Sequence, residues 1–136
     1  MPSSFGSQSS SNDNRGELLS IQAMIENIIE QADGIDHIVR AVISDYLHKN
    51  GYSVVKVTRE LKEFENYCWV QWDGETSQPG GLLVTLIYNP SKNPNMLIAV
   101  GEHPATGPLT KINLQEVIET LERDTGIQRR SGWIHK

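Results

Sequence analysis

The sequence predicts an α+β domain with an N-terminal helical segment, a four-stranded antiparallel meander and a C-terminal helix. Three observations carry this. Apolar residues recur at alternating intervals of three and four from Leu18 to Tyr46. Four runs rich in Val, Ile and aromatic residues then follow between turn residues, and a capped amphipathic stretch starts at Asn113. A chain of 136 residues is the size of one ordinary domain, and 38% apolar with 21% charged residues is a globular composition.

Residues 1–16 hold six serines, two glycines and, after Met1, one large apolar residue, Phe5. That is too little apolar surface to offset ordering entropy, so the stretch is expected to be a disordered leader. The folded domain is expected over 17–126, with a basic tail over 127–136. Residues 17–126 carry 16 acids against 8 bases, a balance of −8, whereas the tail carries Arg129, Arg130 and Lys136. An acidic body repels a phosphate backbone, which argues against nucleic-acid binding.

The first helical stripe runs through Leu18, Ile21, Ile25, Ile28, Ala32, Ile35, Val39, Val42 and Tyr46. Asp33-Gly34 interrupts it, and Asp33 with Asp36 suits a helix start, so one long helix and two helices near 17–32 and 34–49 both fit. His48, Lys49 and Gly51 mark the end. Met24, Ile29, Ile38 and Ile43 flank the stripe where a coiled coil would place charge, giving an apolar face wider than a dimer seam. The excess width points to a partner, either a second copy in a homodimer or another protein.

Strands are expected at Tyr52 to Leu61, Tyr67 to Trp72, Leu82 to Tyr88 and Met96 to Val100. The breaks are Glu63 to Asn66, Asp73-Gly74 to Gly81, and Asn89-Pro90 to Asn95. Connections this short allow only antiparallel neighbours. Leu82 to Ile87 is apolar on both alternating sets, which predicts a central strand covered on both faces. The last helix has Asn113 and Glu116 at cap positions, Leu114, Val117, Ile118 and Leu121 on one face, and Gly126 with Ile127 at its end.

No P-loop, dinucleotide-binding glycine motif, nucleophile elbow, C-x-x-C or H-E-x-x-H is present. Cys68, between Tyr67 and Trp69, reads as a packed core residue, and as the one cysteine it fits a cytoplasmic setting. Trp69 and Trp72 must face opposite ways in a strand. No 18-residue apolar run and no secretory signal is visible, so no membrane insertion is expected. His37, His48, His103 and His135 are scattered, which argues against a structural zinc site, and no cofactor is expected. In a meander the second and fourth strands end together, which would bring Asp73 and Glu75 toward Glu102 and His103. Carboxylates with an imidazole suit a hard metal or acid–base chemistry, the alternative reading of a small hydrolase-like or metal-dependent enzyme.

In element order alone the chain resembles small bacterial chaperone-like domains and double-stranded-RNA-binding domains. It departs from the latter where a lysine cluster opens their last helix, since only Lys111 precedes Asn113. The leading expectation is a non-enzymatic adaptor, assembly factor or chaperone-like module. It would bind another protein or itself through Met24, Ile29, Ile38 and Ile43, with Trp133 in the basic tail as a further anchor.

Overall fold

The computed structural model describes residues 10–65, 67–77, 81–89, 95–102 and 112–127, with side chains described from residue 21 onward. Helix α1 spans Ser10–Lys49, followed by strands β1 (Val54–Phe64), β2 (Tyr67–Thr76), β3 (Gly81–Tyr88) and β4 (Met96–Glu102), then helix α2 (Leu114–Thr125). All three strand pairs are antiparallel and the sheet order is β1-β2-β3-β4, the expected meander.

The helical stripe forms one helix, not two. Gly34 is exposed and a Cβ there would meet nothing within 4 Å, so its cost of about 1 kcal/mol is outweighed by a stripe that stays in phase on both sides. Asp33 and Asp36, expected as a helix start, bind Arg59 of β1 instead. The helix also begins at Ser10, so residues 10–16, assigned above to the leader, are helical. Extending an existing helix adds a hydrogen bond per residue without a new nucleation cost. At the other end Gly51 takes the left-handed conformation (φ 88°), donating to His48 O at 3.0 Å, while Tyr52 N donates to Leu47 O at 2.9 Å. This paired bonding is the glycine stop the sequence predicts.

β2 runs through Asp73 and Gly74 to Thr76, so that dipeptide is strand and not turn. Gly74 is there for close approach: a Cβ would overlap Ile43 Cγ2 and lie 3.1 Å from Leu47 Cδ1. Gly74 therefore lets α1 settle onto the sheet. β1 extends three residues beyond its expected end, to Phe64, and the turn places Glu65 at φ 55°.

Both helices lie on one face of the sheet, α1 over β1, β2 and β3, and α2 beside it over β4. The core joins Ile28, Ala32, Ile35, Val39, Val42, Ile43 and Leu47 of α1 with Cys68, Val70, Trp72, Leu82, Val84, Leu86 and Ile98 of the sheet. Val117, Ile118 and Leu121 of α2 close it. Expected coverage of β3 on both faces is only half met. Leu82, Val84 and Leu86 are buried under the helices, whereas Leu83, Thr85 and Ile87 on the other face are half-buried. α2 is capped as its sequence indicates: Asn113 accepts from the backbone of Gln115 and Glu116, and Gly126 (φ 77°) donates to Glu122 O at 2.9 Å.

Candidate interaction surface

A 40-residue helix is about 60 Å long, whereas ten-residue strands span about 33 Å. The sheet can therefore cover only about half of α1. Full burial is confined to 28–47, and the stripe continues N-terminally through Ile21, Met24 and Ile25, which are only half-buried. Met24 and Ile25 still touch the rim of the core, so the stripe is partly covered here rather than sealed.

Along 28–47 the flanks of the stripe are used inside the chain. At about 3.6 residues per turn Ile29, Asp33, Asp36, Arg40 and Ile43 share the flank that faces β1. Asp36 Oδ1 accepts from Arg59 Nη1 at 3.0 Å and from Trp72 Nε1 at 2.9 Å, and Asp36 Oδ2 accepts from Arg40 Nε at 2.8 Å. Arg59 Nη2 donates to Asp33 Oδ1 at 2.6 Å, and Arg40 Nη1 to Val57 O at 2.7 Å. Burial of Asp36 opposes its ionisation, but the bonds from Trp72, Arg59 and Arg40 outweigh that and hold its carboxyl below the usual 3.8. Asp33, and then Asp36, hold the Arg59 guanidinium more firmly protonated than usual, against the pull of its own burial. The network fixes α1 against β1. At the C-terminal end of the stripe the Tyr46 hydroxyl bonds Thr120 Oγ1 at 2.9 Å and Glu116 Oε2 at 3.2 Å on α2.

Placement of the expected residues follows from this. Ile43 is fully buried against Gly74, so it belongs to the core and is withdrawn from the partner surface. Its position in the pattern is that of a flank, but the glycine opposite lets β2 reach it. Ile38, half-buried, lies on the flank away from β1, where α2 packs. Met24, toward the N-terminal end of the described stripe, and Ile29, at the first turn of the flank that faces β1, are half-buried against the rim of the core. Trp133 lies outside the described residues.

The acid–base cluster does not assemble among the described residues. Asp73 pairs with Leu83, which pairs with Gly101, so Asp73 and Glu75 stand on the face away from the helices. Glu102 is opposite Leu82 and stands on the helix face, exposed at the strand end. The ends do coincide as expected, but the pleat puts these carboxylates on opposite sides of the sheet. His103 lies outside the described residues. Among the described residues no group of three His, Cys, Asp or Glu is arranged to hold a metal ion.

Cys68 is buried on the helix face of β2, and burial first, with Glu63 opposite it on β1 second, pushes its thiol up. This environment suppresses the thiolate that a nucleophile needs. Trp72 is fully buried, whereas Trp69, on the other face, is half-buried with Nε1 3.4 Å from Gln71 Oε1. An open depression of about 660 Å³ near the end of α1 is lined by Ser44, Asp45, Tyr46, His48, Lys49 and Val54. Asp45, His48 and Lys49 are exposed there, so water competes for any polar contact.

Sequence reasoning missed the Asp36 network. Its signal was present in Asp33, Asp36 and Arg40, a polar line beside an apolar stripe, but the partner Arg59 is fixed only by strand register. It also missed the exposed apolar pair at the β1–β2 turn, Phe64 at 64% and Tyr67 at 46% exposure, which face each other across the strands. No protein-family model, curated protein or solved structure matches this chain. No described helix is long and apolar enough to cross a membrane.

Proposed function

We propose that this protein is a non-enzymatic protein-binding module, of the adaptor, assembly-factor or chaperone-like kind, that takes another protein along the uncovered part of α1. The observation that supports the reading is the mismatch between the helix and its sheet: the apolar stripe continues N-terminally of Ile28 through Ile21, Met24 and Ile25, where full burial gives way to partial burial at the rim of the core. Ile21, Met24, Ile25 and Ile29 form the contact surface, and a partner with a complementary apolar face covers it. Completing the burial of such side chains contributes up to about 1.5–3 kcal/mol each before association costs. The enzyme reading loses its geometric support, because Asp73 and Glu75 are on one face and Glu102 on the other. Nucleic acid remains disfavoured by the acid excess of the folded body.

The test compares proteins captured by the immobilised wild type with those captured by Met24→Glu and Ile29→Glu. A specific partner that is held by the wild type and lost from both variants, with unchanged circular dichroism, supports the reading. Equal capture by all three, or loss only where the fold is lost, overturns it.

A further inference from the structure

Strand β1 is an edge of the sheet, and among the described residues no strand pairs with its outer side. An open edge is a template for another strand. Its first half is obstructed, since the Val57 carbonyl accepts from Arg40 Nη1 at 2.7 Å and the ladder shifts register between Val54 and Lys56. The second half is open: Glu60, Leu61, Glu63 and Phe64 are all exposed.

We propose that β1 pairs antiparallel with β1 of a second copy, about a two-fold axis at Leu61, joining the two sheets into one. The charges on the strand select this register. A two-fold axis that keeps the faces of the two sheets continuous must pass through a residue position, and the positions differ sharply. An axis at Arg59, Glu60, Lys62 or Glu63 sets that residue against its own copy, like charge on like. An axis at Thr58 pairs Lys56 with Glu60 but needs the Val57 backbone that Arg40 occupies. At Leu61 the apolar side chain meets its own copy, Thr58 faces Phe64, and Glu60 and Lys62 face each other twice. Within one strand Lys62 Nζ already lies 3.4 Å from Glu60 Oε1, so the axis completes an alternating square of four charges. On the opposite face Arg59 would meet Glu63, but Arg59 is engaged by Asp33 and Asp36, so discrimination rests on Glu60 and Lys62. The pairing is independent of the α1 surface, since it uses another element and another kind of contact.

Sedimentation of the wild type at rising concentration, with Lys62→Glu, Glu60→Lys and the double charge swap, tests the register. Both positions are solvent-exposed enough that the monomer fold should survive, which circular dichroism checks. Each single change acts twice across the axis and should weaken the dimer at least about tenfold, while the swap restores it. A Leu61→Cys variant should oxidise to a linked dimer, because opposed residues in antiparallel strands have Cα separations of about 4.5–5.5 Å, within disulfide range. Val55→Cys, far from the axis, should not. Buried Cys68 does not compete. A monomer at all concentrations, a dimer indifferent to Lys62→Glu, or equal linking at positions 55 and 61 overturns the proposal. So does a dimer dissolved by Met24→Glu but not by Lys62→Glu, which would place self-association on α1.

Discussion

The Trp72 indole N–H donates to Asp36 Oδ1 at 2.9 Å, tying the largest fully buried side chain of the sheet to a carboxylate on the flank of α1. Asp36 also receives Arg59 and Arg40, so one side chain joins the helix to two strands. Asp36→Ala leaves the indole N–H and two guanidiniums short of an acceptor and should cost about 3 kcal/mol. Asp36→Asn keeps a neutral acceptor and should cost about 1 kcal/mol less, by denaturant titration at neutral pH.

The same carboxyl predicts an acid limb in stability. Its folded pKa lies below its ordinary 3.8, so the contribution is complete above the ordinary value and is lost as pH falls through the folded one. Wild-type melting temperature should drop as pH falls below the ordinary 3.8 and on through the lower folded value, and the drop should be smaller in Asp36→Asn. An equal drop in both proteins would assign the acid limb to other carboxylates.

Gly74→Ala should destabilise by about 1–3 kcal/mol, because its Cβ falls on Ile43 and packed helix–sheet contacts yield poorly. Gly101→Ala, where nothing lies within 4 Å, should be nearly silent. Combining Gly74→Ala with Ile43→Ala should cost less than the two changes added, since the second removes the methyl that the first strikes. Strict additivity in the chemical denaturation series would show that the glycine is not a contact point.

Cys68 is the single cysteine in the chain, so its labelling reports on one site. Buried beneath the helices with its thiol pushed up, it should react with a disulfide reagent only as fast as the sheet opens. Labelling should accelerate in Asp36→Ala in proportion to lost stability. Rapid native-state labelling would restore Cys68 as a reactive thiol.

The fold was legible because its signals are local. A three-four stripe, period-two runs and a capped last helix are each written within a few residues of one another. What required the third dimension was which residues meet. Gly74 reads as a turn beside Asp73, and only the approach of Ile43 explains it as strand. Glu75 on β2 and Glu102 on β4 lie at the same end of the sheet with β3 between them, yet a register in which Glu102 opposes Leu82 separates their faces. The width of the α1 stripe was visible, but not that β1 and α2 occupy most of it, so the surface proposed for a partner is narrower than the stripe and is confined to Ile21, Met24, Ile25 and Ile29.

Gly34 within α1 and Gly51 just beyond its end should respond to alanine with opposite sign. Gly34 is mid-helix and exposed, with nothing within 4 Å of the position a Cβ would take. Alanine there adds no contact but removes backbone freedom from the unfolded chain, a gain of about 1 kcal/mol. Gly51 is held at φ 88° by the bonds from Gly51 N to His48 O and from Tyr52 N to Leu47 O. A Cβ in that left-handed conformation costs about 1–2 kcal/mol, and unwinding to avoid it would release Leu47 from the core. Thermal melts should therefore rise for Gly34→Ala and fall for Gly51→Ala. A fall at Gly34 would mean that the chain does break there into two helices, with Asp33 as a cap; no change at Gly51 would mean that α1 is stopped by the packing of Tyr52 and Val54 rather than by its glycine.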